Sequence, residues 1–566
     1  MRRRLGAGLA VAGLLALAAG SHTAPAVVQA DERPNIVVIQ TDDQTADSLR
    51  YMANVDRLLV RQGVRFENSF ASYPLCCPSR ATLLTGQYAH NHGVRGNQPP
   101  LGGYVRLDHS NTLPVWLQQA GYHTSFVGKY LNGYGEDEGG LTEVPPGWGD
   151  WRAAVRTPGK GTQSYVGFTL NENGGLVDYP PNQANYQTDV FTRKAVSSIR
   201  SGSASGSPFF LYLAFFAPHS GLPVDEDDVR APGVSLTPSP AARHRDAFEA
   251  LPLPFPPSFD EADVSDKPPA IKRFGRLTLD QTLAVTESYQ QRLESLLAVD
   301  EGVAQIVEAL RAERELANTL IVFTSDNGFM QGEHRVMPDR GKGFAYEPSA
   351  RIPLVLRGLD LPRGRRVTDV VSNVDLAPTF LALAHAAPGR VQDGRSLLPL
   401  ARDPLADFGR DVLLESVHFL GIRTHRYVYI AHYRRAWELY DLQTDPYQLR
   451  SRHRDPALRE TRLELARRLN DLGTCSGAFC LDDPLLRLRL APLGRSVRAD
   501  VVGADARWVV DTQFYVDGKR VAGDRRAPFA AVLPPTLFPG ASATVRVRVR
   551  TTDGRGVTMT RRVTLR

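Results

Sequence analysis

Cysteine is scarce in this chain, with four residues in 566. Cys76 and Cys77 are neighbours, where a disulfide would be strained, so that pair is left open to other chemistry. Cys475 and Cys480 lie close together in a loop-like segment and, in an exported chain, are expected to form a disulfide. Long apolar runs are also rare. The run from Leu5 to Ala19 follows Arg2-Arg3-Arg4 and leads into small residues ending Val28-Gln29-Ala30. It is short for a membrane span and has the order of a secretory signal peptide. Residues 1–30 are therefore expected to be removed, leaving a secreted or cell-wall-associated protein, with the Sec and twin-arginine routes both open. No cysteine follows the run to take a lipid. Nucleic-acid-binding motifs are lacking too, which argues against a nucleic-acid partner. The net charge of +6, carried mainly by arginine, suits a sulfated or phosphorylated polyanion but equally suits an arginine-rich proteome.

What is present is ordinary globular composition, 42% hydrophobic and 23% charged, over a length that implies two or more domains. From Arg33 to about Leu400, apolar strand-like runs alternate with helical segments. This predicts an α/β domain over residues 31–410, a central and mostly parallel sheet sandwiched by helices. Four runs end in reactive residues. Ile36 to Ile39 leads to Asp42-Asp43, Thr124 to Val127 to Gly128-Lys129, Phe209 to Phe216 to His219, and Leu320 to Thr324 to Asp326-Asn327. Parallel strands would bring all four tips to one rim, outside the carboxyl edge where open α/β sheets bind ligands.

The proline-rich stretch Gly221 to Lys272 is too long and irregular for a plain connector. It reads as a substrate-facing rim or a passive insertion. Leu283 to Leu316 has the spacing of a covering helix, with Asp300 on it structural. From residue 490 to 566, short alternating strands with Asp517-Gly518 and Asp553-Gly554 turns predict an immunoglobulin-like β-sandwich. Its arginines read as a solvated sheet face, or as a carbohydrate or cell-wall contact.

Asp42, Asp43, Asp326 and Asn327 together offer three carboxylates and an amide. Such hard oxygen donors suit calcium or magnesium better than zinc; singly, each Asp pair also fits a turn or a helix cap. Pro78 marks a helix start, which places Cys76 just outside a helix N-terminus, where free N–H groups favour an anion. A buried thiol pair is the plainer reading of Cys76-Cys77.

The order Cys76-Cys77-Pro78-Ser79-Arg80, followed by Leu84-Thr85-Gly86, resembles the signature of the type I sulfatases. The resemblance runs from about Arg33 to Leu481 and includes Gly128-Lys129-Tyr130-Leu131-Asn132, Gly341-Lys342 and Arg351-Ile352-Pro353. It implies that a formylglycine-generating enzyme oxidises Cys76 to formylglycine (3-oxoalanine). It also implies that Asp42, Asp43, Asp326 and Asn327, with residue 76, hold one calcium ion. Lys129 and Lys342 would bind sulfate oxygens, Arg80 would orient the aldehyde hydrate and His219 would protonate the leaving group. Val374 to Thr379 and Asp393 to Ser396 resemble packing stretches of the family. Residues 411–485 resemble its C-terminal subdomain, a small antiparallel sheet with a helix from Ala457 to Leu472.

Arylsulfatase-type members often carry a histidine where this chain has Leu131. Lys129-Tyr130-Leu131-Asn132 and His90-Asn91-His92-Gly93 are instead similar to the glucosamine-6-sulfatase branch, and His334 is the candidate for the missing histidine. The implied activity is hydrolysis of a sulfated sugar or an aryl sulfate. The alternatives are a phosphomonoester or phosphonate hydrolase on the same sheet and an inactive wall protein that binds sulfated glycans.

Overall fold

The apolar runs form the middle of a ten-stranded sheet. Its strands are β1 (Asn35–Thr41), β2 (Gly63–Phe70), β3 (His123–Gly128), β4 (Asp150–Val155), β5 (Phe168–Glu172), β6 (Gly175–Tyr179), β7 (Phe209–Ala214), β8 (Thr319–Ser325), β9 (Leu354–Arg357) and β10 (Arg365–Ser372). They are ordered β10-β2-β9-β8-β1-β7-β3-β4-β5-β6. This computed structural model describes residues 33–481, 486–538, 542–552 and 556–564. The expected leader and the Asp553-Gly554 turn fall outside the described residues.

β1 is buried along its whole length, as an interior strand covered on both faces must be. Successive side chains go to opposite faces. Ile36 and Val38 pack with Ala81, Leu84 and Phe380, while Val37 and Ile39 pack with Phe191, Val299 and Ile306. The first core is covered by α1 (Cys76–Thr85), the second by α2 (Gln187–Ala204) and α3 (Leu279–Ala312). α3 begins earlier than its apolar spacing predicts because Thr278 and Gln281 form a capping box. β8, β1, β7 and β3 are consecutive and mutually parallel, so the four predicted tips share one edge.

Beyond this sheet, β11 (Val412–Glu415), β12 (Phe419–Arg423), β13 (Tyr427–His432) and β14 (Ala436–Asp441) form an antiparallel sheet. The helix α4 (Arg459–Leu472) covers it through Leu465, Leu469 and Leu472. His90, in the motif similar to the glucosamine-6-sulfatase branch, ties the turn after α1 to Glu415 of this sheet and to the Cys475 carbonyl. Cys475 and Cys480 are disulfide-bonded.

The rest is all-β and antiparallel. β15 (Arg487–Leu493), β16 (Ser496–Val502), β17 (Val509–Val516), β18 (Lys519–Asp524), β19 (Ala530–Leu533), β20 (Ser542–Thr551) and β21 (Gly556–Thr564) form two sheets, β15-β16-β19 and β18-β17-β20-β21. One core joins them through residues such as Val497, Phe514 and Val547. The β17–β18 turn uses Asp517 and Gly518 at φ 44° and 82°, as its sequence predicts. The β20 arginines are not simply a solvated face. Arg546 Nη1 meets Asp403 Oδ2 at 2.7 Å, and on β21 the Thr558 hydroxyl donates to the Leu405 carbonyl at 2.7 Å.

Candidate active site

After β2 the chain crosses the rim and enters α1. Leu75 is the extended N-cap, so Cys76 is the first helical residue rather than the one before the helix, and Pro78 falls in the first turn. Both thiols are buried and free. β3 delivers Lys129 through Gly128, at φ 122°, where a Cβ would come within 1.9 Å of the Ala214 carbonyl oxygen. Glycine is what the close approach of β3 and β7 allows there. β1 delivers Asp42 and Asp43, the latter at φ 66°, a left-handed position that aspartate tolerates better than most residues. β8 delivers Asp326 and Asn327.

These residues meet around Cys76. Its Sγ lies 3.5 Å from Asp42 Oδ1, 3.0 Å from Lys342 Nζ and 3.8 Å from Lys129 Nζ. Lys342 Nζ donates to Asp43 Oδ1 and Oδ2 at 2.7 and 2.9 Å, and Lys129 Nζ donates to Asp42. Arg80, fully buried, spans two strand tips, with Nη2 on Asp42 Oδ2 and Nε on Asp326 Oδ2, both at 2.9 Å. His219 Nε2 is 3.6 Å from Asp43 Oδ2. Its Nδ1 donates to the Ser220 carbonyl at 2.7 Å, which fixes the tautomer and turns Nε2 toward the cluster.

Burial raises every carboxylate here, but neighbouring charges decide the outcome. Lys129, His219 and Arg80 overcome it at Asp42, and Lys342 and His219 at Asp43, so both are held low. Burial and the Asp42 charge push Asp326 up to about 6. Burial, then Asp42, pushes the Cys76 thiol up to about 12. His219 is lowered to about 4 by burial and then by Lys342.

The donor set fits a divalent cation. Ligand atoms of Asp42, Asp43, Cys76 and Asp326 all lie within 4.8 Å of one another. Asn327 Nδ2 bonds Asp43 Oδ1 at 2.6 Å, while Asn327 Oδ1 is buried without a partner. A buried acceptor without a protein partner beside three carboxylates is a donor set that fits a hard divalent cation.

Of the predicted residues, the fold gathers Asp42, Asp43, Cys76, Arg80, Lys129, His219, Asp326, Asn327 and Lys342. His334 is placed elsewhere. It is fully buried, its Nδ1 meets Glu261 Oε2 at 2.6 Å, and its ring lies 4.3 Å from that of Tyr346. Those partners make it part of the packing that joins the proline-rich segment to the main body, with none of the gathered residues among them. Leu131 is a core residue. Sequence reading missed Arg292. This buried guanidinium on α3 donates to the carbonyls of Pro218 (3.0 Å) and Asp43, and stacks 4.0 Å over the Phe329 ring. The polar run Gln290-Gln291-Arg292, interrupting an apolar helix face, was the signal available.

A family model described as Sulfatase matches residues 34–386, and one described as N-sulphoglucosamine sulphohydrolase, C-terminal, matches residues 332–474. An arylsulfatase of Volvox carteri is 33% identical over 85% of this chain and 79% of its own. The human N-acetylglucosamine-6-sulfatase is 31% identical over 66% of this chain and 66% of its own. A solved structure of a protein in complex with its substrate D-glucosamine-2-N, 6-O-disulfate shares the fold, with a TM-score of 0.63 and 24% identity, covering 77% of this chain and 97% of that one.

Proposed function

The chain belongs to the sulfatase family, close to the N-acetylglucosamine-6-sulfatase branch, and from that premise we propose an exported, formylglycine-dependent enzyme that releases sulfate from a sulfated sugar. The reading includes one calcium ion, a partner enzyme that converts the Cys76 side chain from CH₂SH to an aldehyde, and the disulfide-bonded 411–485 unit as the family's C-terminal subdomain. Residues 490–566 are read as an immunoglobulin-like module. The observation that carries the reading is the convergence of Arg80, Lys129 and Lys342 on three buried carboxylates around one side chain at a helix N-terminus.

Bound at Asp42, Asp43, Asp326, Asn327 and residue 76, the cation would supply Lewis-acid polarisation. Lys129 and Lys342, whose ammonium groups face residue 76, would serve the anionic ester and the charge developing on its sulfuryl oxygens. Arg80 holds Asp42 and Asp326 in register and so fixes the ligand set. His219, with Nδ1–H tied to Ser220, aims Nε2 at the cluster. Once Nε2 takes up a proton with the anionic ester bound, it is the atom that can hand that proton to the departing alcohol, a role worth ~10²–10⁴-fold in general acid catalysis. Burial of the whole cluster excludes bulk water and strengthens each of these terms.

Sulfate release from N-acetylglucosamine 6-sulfate, compared with turnover of an aryl sulfate and an aryl phosphate, tests the assignment. Sulfate esters are expected to be cleaved far faster than the phosphate. Preferential phosphate release would overturn it.

A further inference from the structure

A groove of about 1240 Å³ runs along the seam where three parts of the chain meet, away from Cys76 itself. Its lining starts at Thr45, just past the metal-site residue Asp43, and includes Phe255 of the proline-rich segment. It continues over Arg423 and His425 at the β12–β13 hairpin and ends on Arg548 and Arg550 of β20. Drug-sized ligands occupy pockets of ~300–1,000 Å³, so this volume accommodates a chain of sugars rather than one.

The carboxylates in the groove are largely answered within it. Asp47 pairs with Arg351 at 2.8 Å and Glu347 with Arg423 at 2.6 Å, while Asp407 shares a hydrogen bond with Asp369. The surplus is positive. Arg550 is exposed and has no carboxylate partner among the described residues, and Arg548 Nη2 reaches Asp407 only at 3.9 Å. His425, open to the groove, is pushed below its ordinary pKa by partial desolvation and then by the charges of Arg423 and Arg550. The cations left over, Arg548 and Arg550, stand two residues apart on one face of β20 and form a site for an anion. Arginine also matches sulfate in bidentate geometry, which lysine does not. Two exposed aromatic side chains, Phe255 at 62% and Tyr447 at 46% exposure, line the same groove and suit the apolar faces of pyranose rings.

We propose that this groove is a second binding site, for an extended sulfated glycan, that retains the polymer while a sulfate is removed at residue 76. The inference rests on the sulfatase reading above. A glycan is favoured over nucleic acid because the groove starts beside the metal-site strand of a sulfate-ester hydrolase.

The test uses the full chain and three probes, dextran sulfate, unsulfated dextran and duplex DNA of similar length, titrated at several salt concentrations. Expected is salt-sensitive binding of dextran sulfate, no binding of dextran, weaker binding of DNA, and at least ~10-fold weaker dextran sulfate binding in Arg550→Glu. Unchanged binding in Arg550→Glu, or DNA bound as tightly as dextran sulfate, would overturn the proposal. Should that variant fail to fold, Phe255→Ala, on the proline-rich segment of the groove lining, carries the same expectation. Sulfate release by the wild-type protein from a small ester is measured in parallel. Its absence alongside intact groove binding rejects the sulfatase reading, and its presence alongside unaltered binding in the variants rejects only the groove.

Discussion

Cys76 lies between two ammonium groups and against a carboxylate, so its substitution separates roles that the native side chain combines. Cys76→Ser keeps Asp42, Asp43, Asp326 and Asn327 and should still bind the cation. It has one hydroxyl and no carbonyl, so it should transfer at most one sulfuryl group per molecule. Quench-flow measurement of sulfate and alcohol release would show a single stoichiometric burst of alcohol, whereas sustained turnover would contradict this role. Lys129→Ala should lower kcat/KM by ~10²–10³-fold, the usual loss when a preorganised partner of developing charge is removed from a dry site. A near-wild-type value would take Lys129 out of the chemistry. These residues were legible because each stands directly after an apolar strand or at a helix start. His334 misled because a histidine two residues after Gly332 looks the same in sequence whether it faces a cavity or bonds Glu261. Only the fold of the segment around Glu261, with no periodicity to read, decides that.

Single elements carry the next level of order, and α3 is the instructive one. Its length and apolar stripe were readable, but not that one arginine on it reaches across to the tips of β1 and β7. Arg292 donates to the carbonyls next to two gathered groups, Asp43 and His219. Replacing it by methionine leaves two buried acceptors unpaired, each costing about 1–3 kcal/mol. Arg292→Met should therefore lower the thermal midpoint and weaken calcium affinity, measured by titration calorimetry on the folded variant. Unchanged affinity would make Arg292 a packing residue only. Chelation followed by readdition tests the ion itself: calcium should restore activity better than magnesium, as expected for a ligand set of several carboxylates and an amide. β20 shows the complementary limit. Its strict alternation predicted the inward valines, yet nothing in the strand's own sequence told that Arg546 and Arg548 face Asp403 and Asp407.

Across the whole molecule, the half-buried Asp407, packed against Asp369 under β20, makes stability depend on pH. Asp407 is raised to about 7 by burial and then by Asp369, while Arg548 and the Gly409 N–H act the other way. The folded chain keeps a proton that the unfolded chain releases above its ordinary value of 3.8. Between those pH values this group binds its proton more tightly in the folded state, so its contribution to stability falls as pH rises and levels off above about 7. Asp407→Asn should flatten this decline in thermal midpoints taken from pH 4.5 to 8 (~half-unit steps resolve it). An unchanged slope would exclude the pair as its source.

The proposed chemistry depends on residue 76 being an aldehyde in the working protein. Peptide mass spectrometry across Leu75 to Arg80, on protein isolated from its native host, measures that directly. The account predicts the mass of a side chain converted from CH₂SH to CHO. Unmodified thiol throughout an actively hydrolysing preparation would contradict it.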